Sequence, residues 1–137
     1  RRFAYLFGIP ASALDKARAM TKRHQASFKK AHESGLCIAM GTDAGTPFNY
    51  HGDNAQELER MVAFGMSPME SILASTAAAA RLIGIQDTVG TLTRGKQADL
   101  VILNGNPLKR IEMLRNQSKI VGVMQAGKFV AGPLAKA

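Results

Sequence analysis

A chain of 137 residues is long enough for one domain with a hydrophobic core. At 46% hydrophobic and 20% charged it reads as globular rather than disordered, and no apolar run nears the roughly 20 residues of a membrane helix. The net charge of +8 is dispersed (Arg1-Arg2, Lys16, Arg18, Lys22-Arg23, Lys29-Lys30, Lys109-Arg110), and with no Trp there is little for a single nucleic-acid strand to stack on.

Residues 11–33 form the first expected element, an amphipathic helix. Leu14, Ala17, Thr21, His24, Phe28 and Ala31 recur at steps of three and four and so share a face. Pro10 can open this helix and Gly35 can close it. Residues 36–40 are a short, nearly continuous apolar run, as expected of a parallel strand covered on both faces. They lead into Gly41-Thr42-Asp43-Ala44-Gly45-Thr46-Pro47, which delivers one carboxylate to a turn. Strand ends of this kind are where parallel α/β enzymes keep their chemistry, although an Asp there can equally serve only the turn's own hydrogen bonds.

Asn54 and Glu57 stand at capping-box spacing for a second helix with Leu58, Met61 and Val62 inward and Gly65 at its end. Ser67-Pro68-Met69-Glu70 opens a third: Ser as N-cap, Pro at the first position, Glu at the third. Met69, Ile72, Leu73, Thr76 and Ala80 define its expected inner face, and Gly84 its end. Beyond residue 85 the texture becomes rich in glycine and β-branched residues. Strands are expected at 90–93, 98–103, 120–125 and 128–130, with turns at Gly95-Lys96 and Ala126-Gly127 and a helical turn over 108–114.

Several motifs carry less than their pattern promises. Residues 90–96 match the opening of a phosphate-binding P-loop, but Gln97 stands where a Ser or Thr hydroxyl is needed and no helix follows, so a β-turn is expected. The three histidines make no His-x-His pair. His24 is expected as a packed core residue and His32 in a last helical turn, where the dipole favours a cation. His51, in a loop just downstream of Asp43, is a candidate for touching substrate, with loop structure as the alternative. Cys37 has no neighbouring base and reads as a buried, inert thiol. As a lone cysteine it excludes an internal disulfide framework and points to a reducing, cytoplasmic setting. The Met residues fall mostly at core spacing.

The ordered set of the 41–47 turn, His51-Gly52-Asp53-Asn54, Gly65-Met66-Ser67-Pro68-Met69-Glu70 and Gly90-Thr91-Leu92-Thr93-Arg94-Gly95-Lys96-Gln97-Ala98-Asp99-Leu100-Val101 resembles the amidohydrolase superfamily. Within it, the pattern is similar to the imidazolonepropionase-related branch that includes Xaa-Pro dipeptidases (prolidases). The resemblance implies an α/β fold: the C-terminal part of a (β/α)8 TIM-barrel metallohydrolase (1–85, with its last strand) plus strands of a flanking small β-sandwich domain (86–137). It implies hydrolysis of an amide or peptide bond of a prolidase- or carboxypeptidase-like dipeptide substrate by metal-activated water. Asp43 would then be both metal ligand and general base, with one or two Zn2+ ions as cofactor.

A barrel of this kind needs roughly 250 residues, and a catalytic zinc about three protein ligands. The family's His-x-His pair and its other ligands would precede Arg1. The chain is therefore expected to be the C-terminal portion of a longer enzyme, inactive alone and either self-associating or covered by the missing part. Its partners would be a small peptide or amide substrate, with neither nucleic acid nor membrane. The reading from another class is a basic module that binds nucleic acid or another polyanion, or a structural remnant without catalysis.

Overall fold

Ser67 shows how local chemistry places an element in this chain. In the computed structural model, which describes residues 10–46 and 49–136, the Ser67 hydroxyl accepts from the Glu70 amide (3.2 Å) and the Glu70 carboxylate accepts from the Ser67 amide (2.6 Å). Both ends of the predicted capping box are thus closed, with Pro68 at the first helical position.

By contacts the chain divides after Leu36 into two compact units. The first holds α1 (Ala11–Glu33), which starts behind Pro10 and ends through Ser34 and Gly35 as expected. Leu14, Phe28 and Ala31 are half-buried, whereas His24 is exposed and not the packed core residue its position suggested. Arg1 and Arg2 lie outside the described residues, as does Pro47 of the Asp43 turn.

The second unit holds α2 (Gln56–Ala63), α3 (Pro68–Ser75), α4 (Ala77–Leu82) and a three-stranded antiparallel sheet of β1 (Leu100–Leu103), β2 (Ile120–Gln125) and β3 (Lys128–Ala131). A 3-10 turn, Ile111–Arg115, lies between β1 and β2. Leu100 pairs with Met124 and Met124 with Phe129, so β2 is the central strand. The core is made by Leu58 and Met61 of α2, Met66 of the loop that follows it, Ala74, Ala78 and Ala80 of the next helices, and Ile111 and Met113 of the 3-10 turn. Ser71 is fully buried, and its hydroxyl donates to the Pro68 carbonyl at 2.9 Å.

Several expectations are corrected. Residues 36–40 form no strand, because among the described residues no neighbouring strand offers them a ladder. The Met40 amide instead donates to the Ala74 carbonyl at 3.0 Å. Cys37 is exposed, with Arg81 Nη2 3.9 Å from its sulfur. Asn54 does not cap α2: the N-cap position is Ala55, and the Glu57 carboxylate turns to Arg60 at 3.3 Å.

The expected third helix breaks at Thr76 (φ −124°, ψ −85°), whose hydroxyl donates to the Ile72 carbonyl at 2.7 Å. Its buried face is Ser71, Ala74, Ala78 and Ala80, while Met69 and Leu73 are exposed. Residues 90–93 are bent rather than a strand. Gly90 takes φ +90° and lies so close to α4 that an added Cβ would meet the Ala80 Cβ at 2.6 Å. The helical turn expected over 108–114 is the shorter 3-10 segment.

The segment that resembled a P-loop is a scaffold. Lys96 Nζ donates to the carbonyls of Gln86 (2.5 Å) and Val89 (3.3 Å), so its ammonium is committed to the chain itself. Asp99 Oδ1 accepts from the Ala126 amide (2.7 Å), and the Gly127 amide donates to the Ala98 carbonyl (3.0 Å), fixing the β2–β3 turn from the start of β1. Ala126 sits there at φ +48°, a region that L side chains rarely enter. Asp99→Ala is expected to lower stability by about 1 kcal/mol, and Asp99→Asn by less because an acceptor remains. Urea unfolding of the two variants checks the order.

Candidate functional site

The turn after residue 40 presents its carboxylate through an unusual backbone. Asp43 has φ +49°, one of two non-glycine residues with positive φ among those described. Asp enters this region more readily than most residues, and such positions cluster at functional sites. The turn is held by its own groups. The Thr46 hydroxyl donates to the Asp43 carbonyl (3.1 Å), the Gly45 amide to the Asn49 carbonyl (2.8 Å) and the Asn49 amide to the Thr46 carbonyl (3.0 Å). The Asn49 side-chain amide donates to the Thr42 carbonyl. These bonds use main-chain groups and leave the exposed Asp43 carboxylate with no side-chain partner among the described residues.

His51 returns over this turn. A Cβ placed on Gly45 would lie 3.1 Å from His51 Nε2, so the imidazole lies close over a glycine two residues after Asp43. The two residues singled out in the sequence are therefore brought to one turn, both exposed to solvent. A complete metal site is absent: no three His, Cys, Asp or Glu side chains converge among the described residues. Asp43 contributes one carboxylate where a catalytic ion takes about three protein ligands, so the described residues do not by themselves fit the group.

Sequence reasoning did not anticipate the ion cluster at the far end of the loop. Arg115 reaches Asp53 through two parallel bonds, Nε to Oδ1 and Nη2 to Oδ2, each 2.8 Å, and its Nη1 lies 3.4 Å from Glu59 Oε2. Arg115 and Asp53 are 62 positions apart, a separation that no local spacing signals. The hydrogen bond from Arg115 holds the Asp53 carboxyl below the usual carboxylate range. Desolvation opposes this, and the charges of Arg115 and Arg60 reinforce it. The same carboxylate raises the pKa of Arg115, which stays charged.

Comparison with known proteins identifies the family. The amidohydrolase family matches residues 6–130, and the chain belongs to that family. Ochratoxinase of Aspergillus niger is 33% identical over 128 residues, covering 92% of this chain and 26% of the relative. Its crystal structure superposes with a TM-score of 0.80 at 32% identity, over 96% of this chain and 30% of that one. Imidazolonepropionase of Geobacillus kaustophilus is 39% identical over 116 residues, 81% of this chain and 26% of the relative. A solved Xaa-Pro dipeptidase with methionine bound in its active site gives a TM-score of 0.72 at 38% identity, over 79% of this chain and 25% of that one. The chain thus spans about a quarter of the length of the curated relatives it matches. Among the described residues no helix is long and apolar enough to cross a membrane.

The Asp53 latch carries a pH dependence. A carboxylate whose native pKa is depressed stabilises the folded arrangement at neutral pH, and that contribution is lost as pH falls from the ordinary value, about 4, through the native one. Residues 50–54 are therefore expected to loosen below about pH 4. NMR signals followed through an acid titration should show this, and Asp53→Asn should remove the pH dependence of that step.

Proposed function

We propose that this amidohydrolase-family chain carries the general base of a hydrolase that cleaves an amide or peptide bond, and that the base is Asp43. One observation carries the reading: an exposed carboxylate, turned outward at φ +49° by a self-bonded turn and left without a side-chain partner among the described residues. An unpaired, solvated carboxylate can take a proton from the attacking water and return it to the leaving amine. His51, beside the same turn, is placed to meet the substrate.

The relatives named for ochratoxin, imidazolonepropionate and Xaa-Pro dipeptides support hydrolysis of a C–N bond in a small substrate, and the dipeptidase favours a prolidase-like dipeptide. The family generally uses a divalent metal. On this reading the ion is zinc, Asp43 is one of its ligands, and the others lie outside these 137 residues. Residues 1–85 then belong to the C-terminal part of a (β/α)8 barrel and 86–137 to a flanking β-domain, in a cytoplasmic enzyme with no nucleic-acid or membrane partner. The exposed Leu82, Ile83 and Leu92 are surfaces that call for cover by a second copy or by the rest of such a barrel.

Two outcomes test this. A His-x-His codon pair is expected in the DNA upstream of Arg1. In the protein expressed from that whole reading frame, Asp43→Asn should lower kcat/KM on Xaa-Pro dipeptides by about 10²–10⁴-fold with the circular-dichroism spectrum unchanged. Full activity in that variant would overturn the assignment. The 137-residue chain by itself, titrated with zinc, is expected to bind well below one ion per chain. Tight stoichiometric zinc would contradict it.

A further inference from the structure

Residues 49–54 leave the Asp43 turn and run to the start of α2, and they are latched at both ends. At the first, Asn49 is bonded to Thr42, Gly45 and Thr46 of the turn. At the second, Asp53 is clamped by Arg115 through two 2.8 Å bonds, and the Asp53 carbonyl accepts from the Gln56 amide (3.1 Å) where α2 begins. Between the latches lie Tyr50, His51 and Gly52, all exposed, with Gly52 at φ +93°. Nothing buries these three residues, so their conformation is set by the two ends.

We propose that Arg115 is a positioning residue for the Asp43 site: by clamping Asp53 it fixes residues 50–53 so that the His51 imidazole stays over Gly45. The inference rests on the reading of the Asp43 turn as the active end of a hydrolase, and it adds a determinant of that site from 62 positions away.

Three features make Arg115 suited to this. Its 3-10 turn is seated in the core by Ile111 and Met113, which are 7% and 8% exposed, so the guanidinium starts from a fixed base. Two parallel bonds fix the direction of the Asp53 carboxylate as well as its distance, which the point charge of a lysine does not do. Glu59 of α2 approaches the third guanidinium nitrogen at 3.4 Å, so loop and helix are referenced to one group. Partly exposed ion pairs add little to global stability, so the effect of this one falls on the segment it holds.

The test is NMR on the isotope-labelled 137-residue chain at fixed neutral pH, with Arg115→Met, Arg115→Lys and Asp53→Asn. Arg115→Met is expected to move the His51 ring resonances and to speed amide exchange at residues 50–53 by about tenfold or more, while amides of residues 120–125 keep their protection. Asp53→Asn should reproduce this, the double variant should add nothing, and Arg115→Lys should restore little of it. Unchanged His51 signals and loop exchange in Arg115→Met would overturn the proposal. So would acceleration spread evenly over the chain, the mark of a merely structural residue. Should Arg115→Met fail to fold, the Lys and Asn variants decide on the same two readouts. No readout depends on turnover, so a loosened loop beside a catalytically silent Asp43 would sink the hydrolase reading and leave the latch standing.

Discussion

One guanidinium joins the parts of the second unit that local forces leave separate. Arg115 stands on a short turn between two strands, yet its bonds go to Asp53 in the loop after the Asp43 turn and to Glu59 on α2. Its position is inherited from the burial of Ile111 and Met113 against the helices, so hydrophobic packing sets where the charge sits. The charge in turn sets where an exposed loop sits. Such a division of labour suits a surface site, because the loop can stay accessible without a core of its own.

The features that could be read from the sequence are those whose causes are local. Ser67, Pro68 and Glu70 carry their helix start within four residues, and the structure forms both bonds of the box. The paired strands also emerged where predicted, because Asp99 and the Ala126–Gly127 turn lie close along the chain to the ladders they fix. Residues 36–40 were misread for the converse reason: an apolar run becomes a strand only beside a partner, and none lies next to it among the described residues. The break at Thr76 was hidden because it depends on one hydroxyl bonding to Ile72 and on the approach of Gly90 to Ala80 from the following loop.

The site divides along the same line. Asp43 and His51 stood out because turn residues and a short loop hold them near one another in sequence, and the structure brings His51 to within contact of Gly45. Arg115 carried no signal, since a lone arginine in a basic chain looks like any solvated cation. The seven residues that match the opening of a phosphate loop were expected as a turn instead, and the structure agrees. Their lysine is bound to the Gln86 and Val89 carbonyls, which leaves it no phosphate role and makes the recurring spacing a matter of loop closure.

The distribution of cations gives Asp43 its character. The chain carries a net charge of +8, so a carboxylate chosen at random would be expected to find a basic neighbour. Near the loop those neighbours are already engaged: Arg115 with Asp53 and Glu59, and Arg60 with Glu57 at 3.3 Å and Gln56 at 2.8 Å. A carboxylate held by an internal guanidinium is a poor base, because its proton affinity is lowered by the partner it already has. Asp53 shows that effect. Asp43 is exposed, on a turn held largely through main-chain groups. By engaging the local arginines at Asp53, Glu57 and Glu59, the fold leaves the Asp43 carboxylate without a cationic side-chain partner among the described residues.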